Sequence, residues 1–269
     1  GMAGASRSLY MDGNATIIAA NKLLAAMRKE DGTLRTYDEM KAEGIETKYL
    51  GRYETNTTPG LCRLDPNTGI GDPTPAFTYC LNLAEVEVDT KTGKTTVLKF
   101  TCVDFVGRIG NIDAVNGQAY SGIMHGIGFA LKEDYADVKK HANMFGAGTS
   151  YIKDVPDDIN LIHIDGAISD GPFGSSGASE AFQASGHCAV LNGIYNACGV
   201  RIHEIPALPE KVKAGLDAIA KGEKPYEPKK YFLGSDMYEE LENIKENPVQ
   251  VGTQSFYVSL DDPTAERPF

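Results

Sequence analysis

Gly171-Pro172-Phe173-Gly174-Ser175-Ser176-Gly177-Ala178-Ser179-Glu180 is a loop whose three glycines and three serines leave the backbone free to take positive φ. It delivers one carboxylate, Glu180, to the start of an apolar-striped segment running from Ala181 to Cys198. Amides in such a loop can approach an oxygen-rich group closely, and serine hydroxyls add donors at little steric cost. Two readings fit: a binding loop with Glu180 at the rim of a cavity, or a surface turn whose Ser and Glu favour a helix start. The stretch holds neither GxxxxGK[ST] nor GxGxxG, so no nucleotide-phosphate motif decides between them.

On either side of the loop the spacing predicts a strand over Ile159 to Ile164 and a helix carrying Phe182, Val190, Leu191, Ile194 and Ala197, ended by Gly199. Upstream, Phe77 to Val88 and Thr95 to Val103 flank the turn residues Asp89 to Lys94, which reads as a hairpin. Val106 to Asn111 then leads to a helix over Gly117 to Leu131, with Ile123, Ile127, Ala130 and Leu131 on one face. Each glycine in it costs about 1 kcal/mol relative to Ala. Gly122 and Gly126 therefore mark a close approach by a backbone or a bulky ligand, while Gln118, Ser121 and His125 share a polar face. A tight helix–helix contact with a packed His125 and a ligand-facing helix both satisfy this pattern.

At the N-terminus, Gly4-Ala5-Ser6-Arg7-Ser8 precedes Asp12-Gly13-Asn14 and a helical pattern through Ile17, Ala20, Leu24 and Met27. A small-residue turn before a helix suits an anion, with Arg7 as its partner, and equally suits an exposed arm. Tyr37 to Ala42 reads as a short helix ended by Gly44, Glu46 to Tyr53 and Val200 to Ile205 as strands, and Pro209 to Ala220 as a helix. Asn56 to Pro75 reads as a long Pro/Gly loop able to reach another subunit. The uneven spacing of strands and helices predicts an α+β fold, a mixed sheet packed by the Gly13, Gly117 and Glu180 helices. Residues 1–222 form the expected domain, and the charged, Pro-containing 223–269 its C-terminal extension, either wrapping a neighbour or solvated.

The 269 residues are 42% hydrophobic and 23% charged, enough for one good core or two small ones in a soluble protein. A net charge of -11 argues against a nucleic-acid partner. The five cysteines, Cys62, Cys80, Cys102, Cys188 and Cys198, include no CxxC pair, so no zinc site, iron–sulfur site or disulfide framework is indicated and a reducing cytoplasm is expected. Cys80 and Cys102 read as small buried hydrophobes, and His187 and Cys188 are assigned no chemistry. The apolar stretch Thr16 to Met27 is interrupted by Asn21 and Lys22 and is too short to span a bilayer.

Gly171 to Glu180, His187-Cys188-Ala189-Val190 and Ala197-Cys198-Gly199-Val200-Arg201-Ile202 together resemble the C-terminal segment of the molybdenum-binding subunit of the xanthine dehydrogenase and aldehyde oxidoreductase family. The resemblance covers about Gly4 to Ala220. It implies that Glu180 is the catalytic base beside the metal. It implies that Gly4, Ala5, Ser6, Arg7 and Ser8, with Gly117, Gln118, Ser121 and His125 and with Ser176, Gly177, Ala178 and Ser179, bind the pterin cofactor, no residue of this chain ligating the metal. This chain has Gly-Ala-Ser-Glu where the family usually has Gly-x-Gly-Glu, and His125 where Gln is common. The implied cofactor is molybdenum–molybdopterin cytosine dinucleotide, with iron–sulfur clusters and FAD confined to partner subunits. The implied partners are the remaining molybdenum-binding domain or subunit, the iron–sulfur subunit and a flavin subunit. The implied reaction is hydroxylation of an aldehyde. Alternatives are the same chemistry on a purine- or nicotinate-type N-heterocycle, or a non-catalytic cofactor-binding or assembly subunit.

Overall fold

Alternation in Tyr79–Val88 (β1) and Thr95–Phe105 (β2) turns one side chain in two toward the interior, and the two strands pair antiparallel around the turn that Gly93 closes at φ 77°. In this computed structural model, which describes residues 4, 6–54, 76–137 and 139–224, Asp158–His163 (β3) joins the other edge of β2 in parallel. The result is a three-stranded mixed sheet, order β1-β2-β3. The register places Cys80, Asp104 and His163 in one transverse row, with Asn82, Cys102 and Leu161 in the next and Ala84, Phe100 and Ile159 beyond.

That face is covered by helix Ile112–Leu131 (α3) and helix Gly186–Cys198 (α5), with the short helix Ser179–Gln183 (α4) against α3. Phe100, Cys102, Ile123, Ile127, Phe182 and Val190 form the core between sheet and helices. Each such large apolar side chain contributes about 1.5–3 kcal/mol on burial. The glycines of α3 make this packing possible. A Cβ on Gly122 would stand 2.6 Å from Phe182 Cβ and 2.8 Å from its carbonyl carbon, and one on Gly126 would stand 2.9 Å from Gly186 Cα. Both positions serve helix–helix contact, whereas His125 is exposed rather than packed in the core.

The expected α+β architecture is present, with local departures. The segment after Glu180 is two helices rather than one, because the chain turns at Ala184–Ser185 to bring Gly186 against Gly126 and Ser185 Oγ to the Asn82 amide, 2.9 Å away. Helix Ser8–Met27 (α1) begins before Asp12-Gly13-Asn14, which lie inside it. Gly13 there packs against Pro172, and the Asn14 amide donates to Asp170 O at 2.9 Å. So α1 leans on the turn Pro172–Gly174. Helix Tyr37–Ala42 (α2) matches expectation, with a reciprocal Thr36–Glu39 cap.

Residues 46–53 and 200–205 carry no strand. The first passes its Gly51 backbone against Ala15 of α1 and sets the Tyr53 ring edge-on to Tyr10, centroids 6.2 Å apart, instead of joining a ladder. In the second, Val200 is buried against Gly215 of helix Pro209–Ala220 (α6). The loop expected over Asn56 to Pro75 and the extension from residue 225 onward lie outside the described residues.

Candidate functional site

The glycine- and serine-rich loop is bonded to the continuation of β2. Ser176 N–H donates to Val106 O (3.1 Å), Arg108 N–H to Gly174 O (2.8 Å) and Ser175 Oγ to Arg108 O (2.5 Å). Gly107 and Gly174 take φ of 79° and 85°, which only glycine adopts at no steric cost. Ser175 and Ser176 are buried, and the Ser176 amide is already bonded within the protein. Phe173, at φ 52°, stands 78% exposed just before them.

At the end of the loop, α4 has no side-chain cap of its own. The cap arrives from the other end of the chain: Ser6 Oγ accepts from Glu180 N–H at 2.9 Å and reaches Glu180 Oε2 at 3.3 Å. One hydroxyl thus satisfies an orphan amide at the helix start and orients the exposed carboxylate. A Cβ on Gly177 would overlap the Ser6 carbonyl oxygen, so the two backbones touch there. Ser6 itself is held at φ 52°, unusual for a residue with a Cβ. Ser8 opens α1, and Gly4 is half-buried, with nothing within 4 Å of an added Cβ; Ala5 lies outside the described residues.

On the opposite side, Gln118, Ser121 and His125 are all exposed along one face of α3, as their i, i+3, i+7 spacing predicts. His125 Nδ1 meets Gln183 Nε2 of α4 at 3.3 Å. Gly117 is exposed with no heavy atom near an added Cβ. The structure therefore brings the acid's helix into contact with both the N-terminal segment and α3. Among the described residues no group of three or more His, Cys, Asp or Glu is placed to hold a metal ion.

Sequence reasoning missed a buried polar chain beneath this site. Asp104, 1% exposed, holds His163 Nδ1 with Oδ2 at 2.7 Å, and His163 Nε2 meets Asn116 Oδ1 of α3 at 2.8 Å. The other Asp104 oxygen, Oδ1, is buried with no hydrogen-bond partner among the described residues. Cys80 and Cys102 border it, their sulfurs 3.4 Å apart. His163 thus bridges the sheet and α3, one ring nitrogen at the Asp104 carboxylate and the other at the Asn116 side chain. The signal was available: Asp104 falls at an inward position of an alternating strand.

Burial holds the Asp104 carboxyl above its ordinary range, partly offset by the hydrogen bond from His163. A raised folded pKa means that the native state holds this proton more tightly than the unfolded chain. Its stabilisation is complete below the ordinary carboxylate pKa and is lost as pH rises through the folded value. The melting temperature of wild type relative to Asp104→Asn, which cannot ionise, is therefore expected to be most favourable near about pH 4 and to fall as pH rises. Thermal unfolding followed by circular dichroism across that range measures it, and a constant difference would show that folding leaves the Asp104 carboxyl unshifted.

Residues 1–156 match the molybdopterin cofactor-binding domain family. The aldehyde oxidoreductase of Megalodesulfovibrio gigas is 43% identical over 81% of this chain, and the probable hypoxanthine oxidase of Escherichia coli K12 is 30% identical over 55%. The match spans only 24% and 16% of those two relatives. Among solved structures, the aldehyde oxidoreductase from Desulfovibrio gigas superposes with a TM-score of 0.77 at 43% identity, over 81% of this chain and 24% of that one. The enzyme from Desulfovibrio desulfuricans gives 0.74 at 45% identity, over 79% and 23%. With over half its residues inside the family's match, and with the fold of those aldehyde oxidoreductase segments, the chain belongs to the molybdopterin cofactor-binding domain family.

Proposed function

We propose that this chain is the C-terminal part of the molybdenum-binding subunit of an aldehyde oxidoreductase-like hydroxylase, holding one side of a molybdopterin dinucleotide and supplying Glu180 as the active-site base. The observation that carries this reading is the convergence on α4: Ser6 bonds both the amide and the carboxylate of Glu180, and Gln183 meets His125.

The residues fit the group. Hydroxyls on Ser6, Ser8, Ser121 and Ser179, the Gln118 amide, the His125 ring and the Arg7 guanidinium form a hydrogen-bonding set suited to pterin nitrogens and pyrophosphate oxygens. Open space beside Gly4 and Gly117 leaves room for the ligand, and Gly177 and Ala178 keep the loop close to Ser6. When bound, the molybdenum cofactor supplies Lewis acidity and two-electron redox capacity. Glu180 is exposed, so its carboxylate can take a proton from the reacting oxygen, and the Ser6 hydroxyl holds it in one orientation while it does so.

The 43% identity to an aldehyde oxidoreductase favours an aldehyde substrate, and the 30% identity to a probable hypoxanthine oxidase supports an N-heterocycle as the second reading. The cytosine dinucleotide form, iron–sulfur and FAD groups on partner chains, and a cytoplasmic location complete the proposal. No helix among the described residues is long and apolar enough to cross a membrane. Elemental analysis and pterin mass spectrometry of the chain, purified with and without the co-expressed remainder of its enzyme, test it. Molybdenum and pterin are expected near one per chain in the complex, and neither appearing in any context would leave a non-catalytic module.

A further inference from the structure

The sheet has a second face. Along β1 the sequence changes character at Leu83: Tyr79-Cys80-Leu81-Asn82-Leu83-Ala84 puts large apolar groups on the side facing away from α3 and α5, whereas Glu85-Val86-Glu87-Val88 alternates cleanly between charged and apolar. Strands with one solvated face alternate, and strands covered on both faces do not. The same boundary crosses all three strands. Tyr79 lies beside Phe105, ring centroids 6.3 Å apart, and Leu81, Val103 and Ile162 form the next row. Beyond Leu83, Thr101 and Asn160 comes the charged row Glu85, Lys99 and Asp158, with Lys99 Nζ 3.3 Å from Asp158.

The outer strands on the apolar side of that boundary are largely exposed, with Val103 and Phe105 of β2 half-buried between them. Tyr79 is 65% exposed, Leu81 64%, Leu83 57%, Ile162 45% and Ile164 52%. A contiguous apolar area on three strands, edged by an ion-paired row, marks a surface that another polypeptide covers. The match accounts for 24% of the Megalodesulfovibrio gigas enzyme, so about three quarters of that enzyme lies outside it. A chain of net charge -11, with Glu85, Glu87 and Asp158 beside the patch, is poorly suited to an anionic lipid surface.

We propose that the outer face of the sheet, from Tyr79 to Leu83 and across to Ile162 and Ile164, docks the remainder of the molybdenum-hydroxylase polypeptide, with the Glu85–Lys99–Asp158 row at the solvated rim. This rests on the functional reading above for the identity of its occupant. The contact is of the obligate kind, apolar at its centre and polar at its edge. It also fixes the α3–α4 side of the sheet, and with it Glu180, relative to the rest of the enzyme.

Hydroxyl-radical footprinting tests this on the full chain alone and on a chimera in which the chain replaces its matched stretch in the Megalodesulfovibrio gigas enzyme. Modification of Tyr79, Leu81, Leu83 and Ile162 is expected to fall at least about fivefold in the chimera, the scale of a well-protected contact, with Ile219 of α6 as the reference. Equal modification in the two, or protection in the isolated chain that grows with its concentration and so reports a second copy, would overturn the proposal. Leu81→Lys with Leu83→Lys in the isolated chain provides a second measurement. Its melting temperature is expected to stay within about 5 °C of wild type, and a larger loss would place the face inside this chain's own core and overturn docking. Molybdenum content of the chimera separates the two claims: full metal with an unprotected face defeats docking alone, and a protected face without metal or pterin defeats the cofactor reading alone.

Discussion

Glu180→Gln, in the assembled and metal-loaded enzyme, is expected to lower kcat by about 10²–10⁴-fold, the range over which a positioned general base contributes, with molybdenum and pterin at wild-type levels. Gln matches the shape of Glu, and its backbone N–H still donates to Ser6 Oγ. The side-chain amide oxygen can still accept from that hydroxyl, so α4 keeps its cap and the N-terminal segment keeps its place. What the amide cannot do is accept a proton. The loss should therefore lie in kcat, with KM changing little, because the substitution removes a transition-state interaction and no binding surface. Retained turnover at full metal loading would remove Glu180 from the chemistry. Lost metal would instead give the residue a structural role, which elemental analysis distinguishes.

The candidate segments were legible in the sequence one by one, and the contacts between them were not. Gly4 to Ser8, Gln118 to His125 and Gly171 to Glu180 stand out by composition. That Ser6 caps the helix of Glu180 depends on a contact across 174 positions, which no local pattern carries. The hairpin, α2, β3 and α6 were legible because alternation, capping residues and terminal glycines act locally. Tertiary contacts overrode local signals elsewhere. Asp12-Gly13-Asn14 has the composition of a turn, yet Pro172 and the Asp170 carbonyl accept it as a helix. The single helix expected after Glu180 divides because Gly126 and Gly186 draw two backbones together, a pairing invisible from either glycine alone. Asp104 was hidden differently. Its strand reads as core, and the carboxylate becomes intelligible only when β3 brings His163 and α3 brings Asn116 to it.

Gly177→Ala tests the convergence itself and is expected to reduce the molybdenum and pterin retained per chain by about tenfold, while far-UV circular dichroism stays unchanged. The added methyl would fall on the carbonyl oxygen of Ser6, and the two nearest atoms are backbone, so rotating a side chain gives no relief. Overpacking of this kind costs about 1–3 kcal/mol, and about 1.4 kcal/mol is a factor of ten in an equilibrium. Ser6 has little freedom to adjust, since it already sits at φ 52° and its hydroxyl is tied to Glu180. The lower-cost response is for the N-terminal segment to leave the loop, which breaks both Ser6 hydrogen bonds and separates Ser6 from Glu180. The core of Phe100, Ile123, Ile127 and Val190 lies between the sheet and the helices and takes no part in that movement, so the fold should survive. Gly110→Ala is the matched control, as an added Cβ there meets nothing within 4 Å. Full cofactor retention by Gly177→Ala would mean that the contact between the N-terminal segment and the acid's loop is packing alone, and that the ligand is held elsewhere.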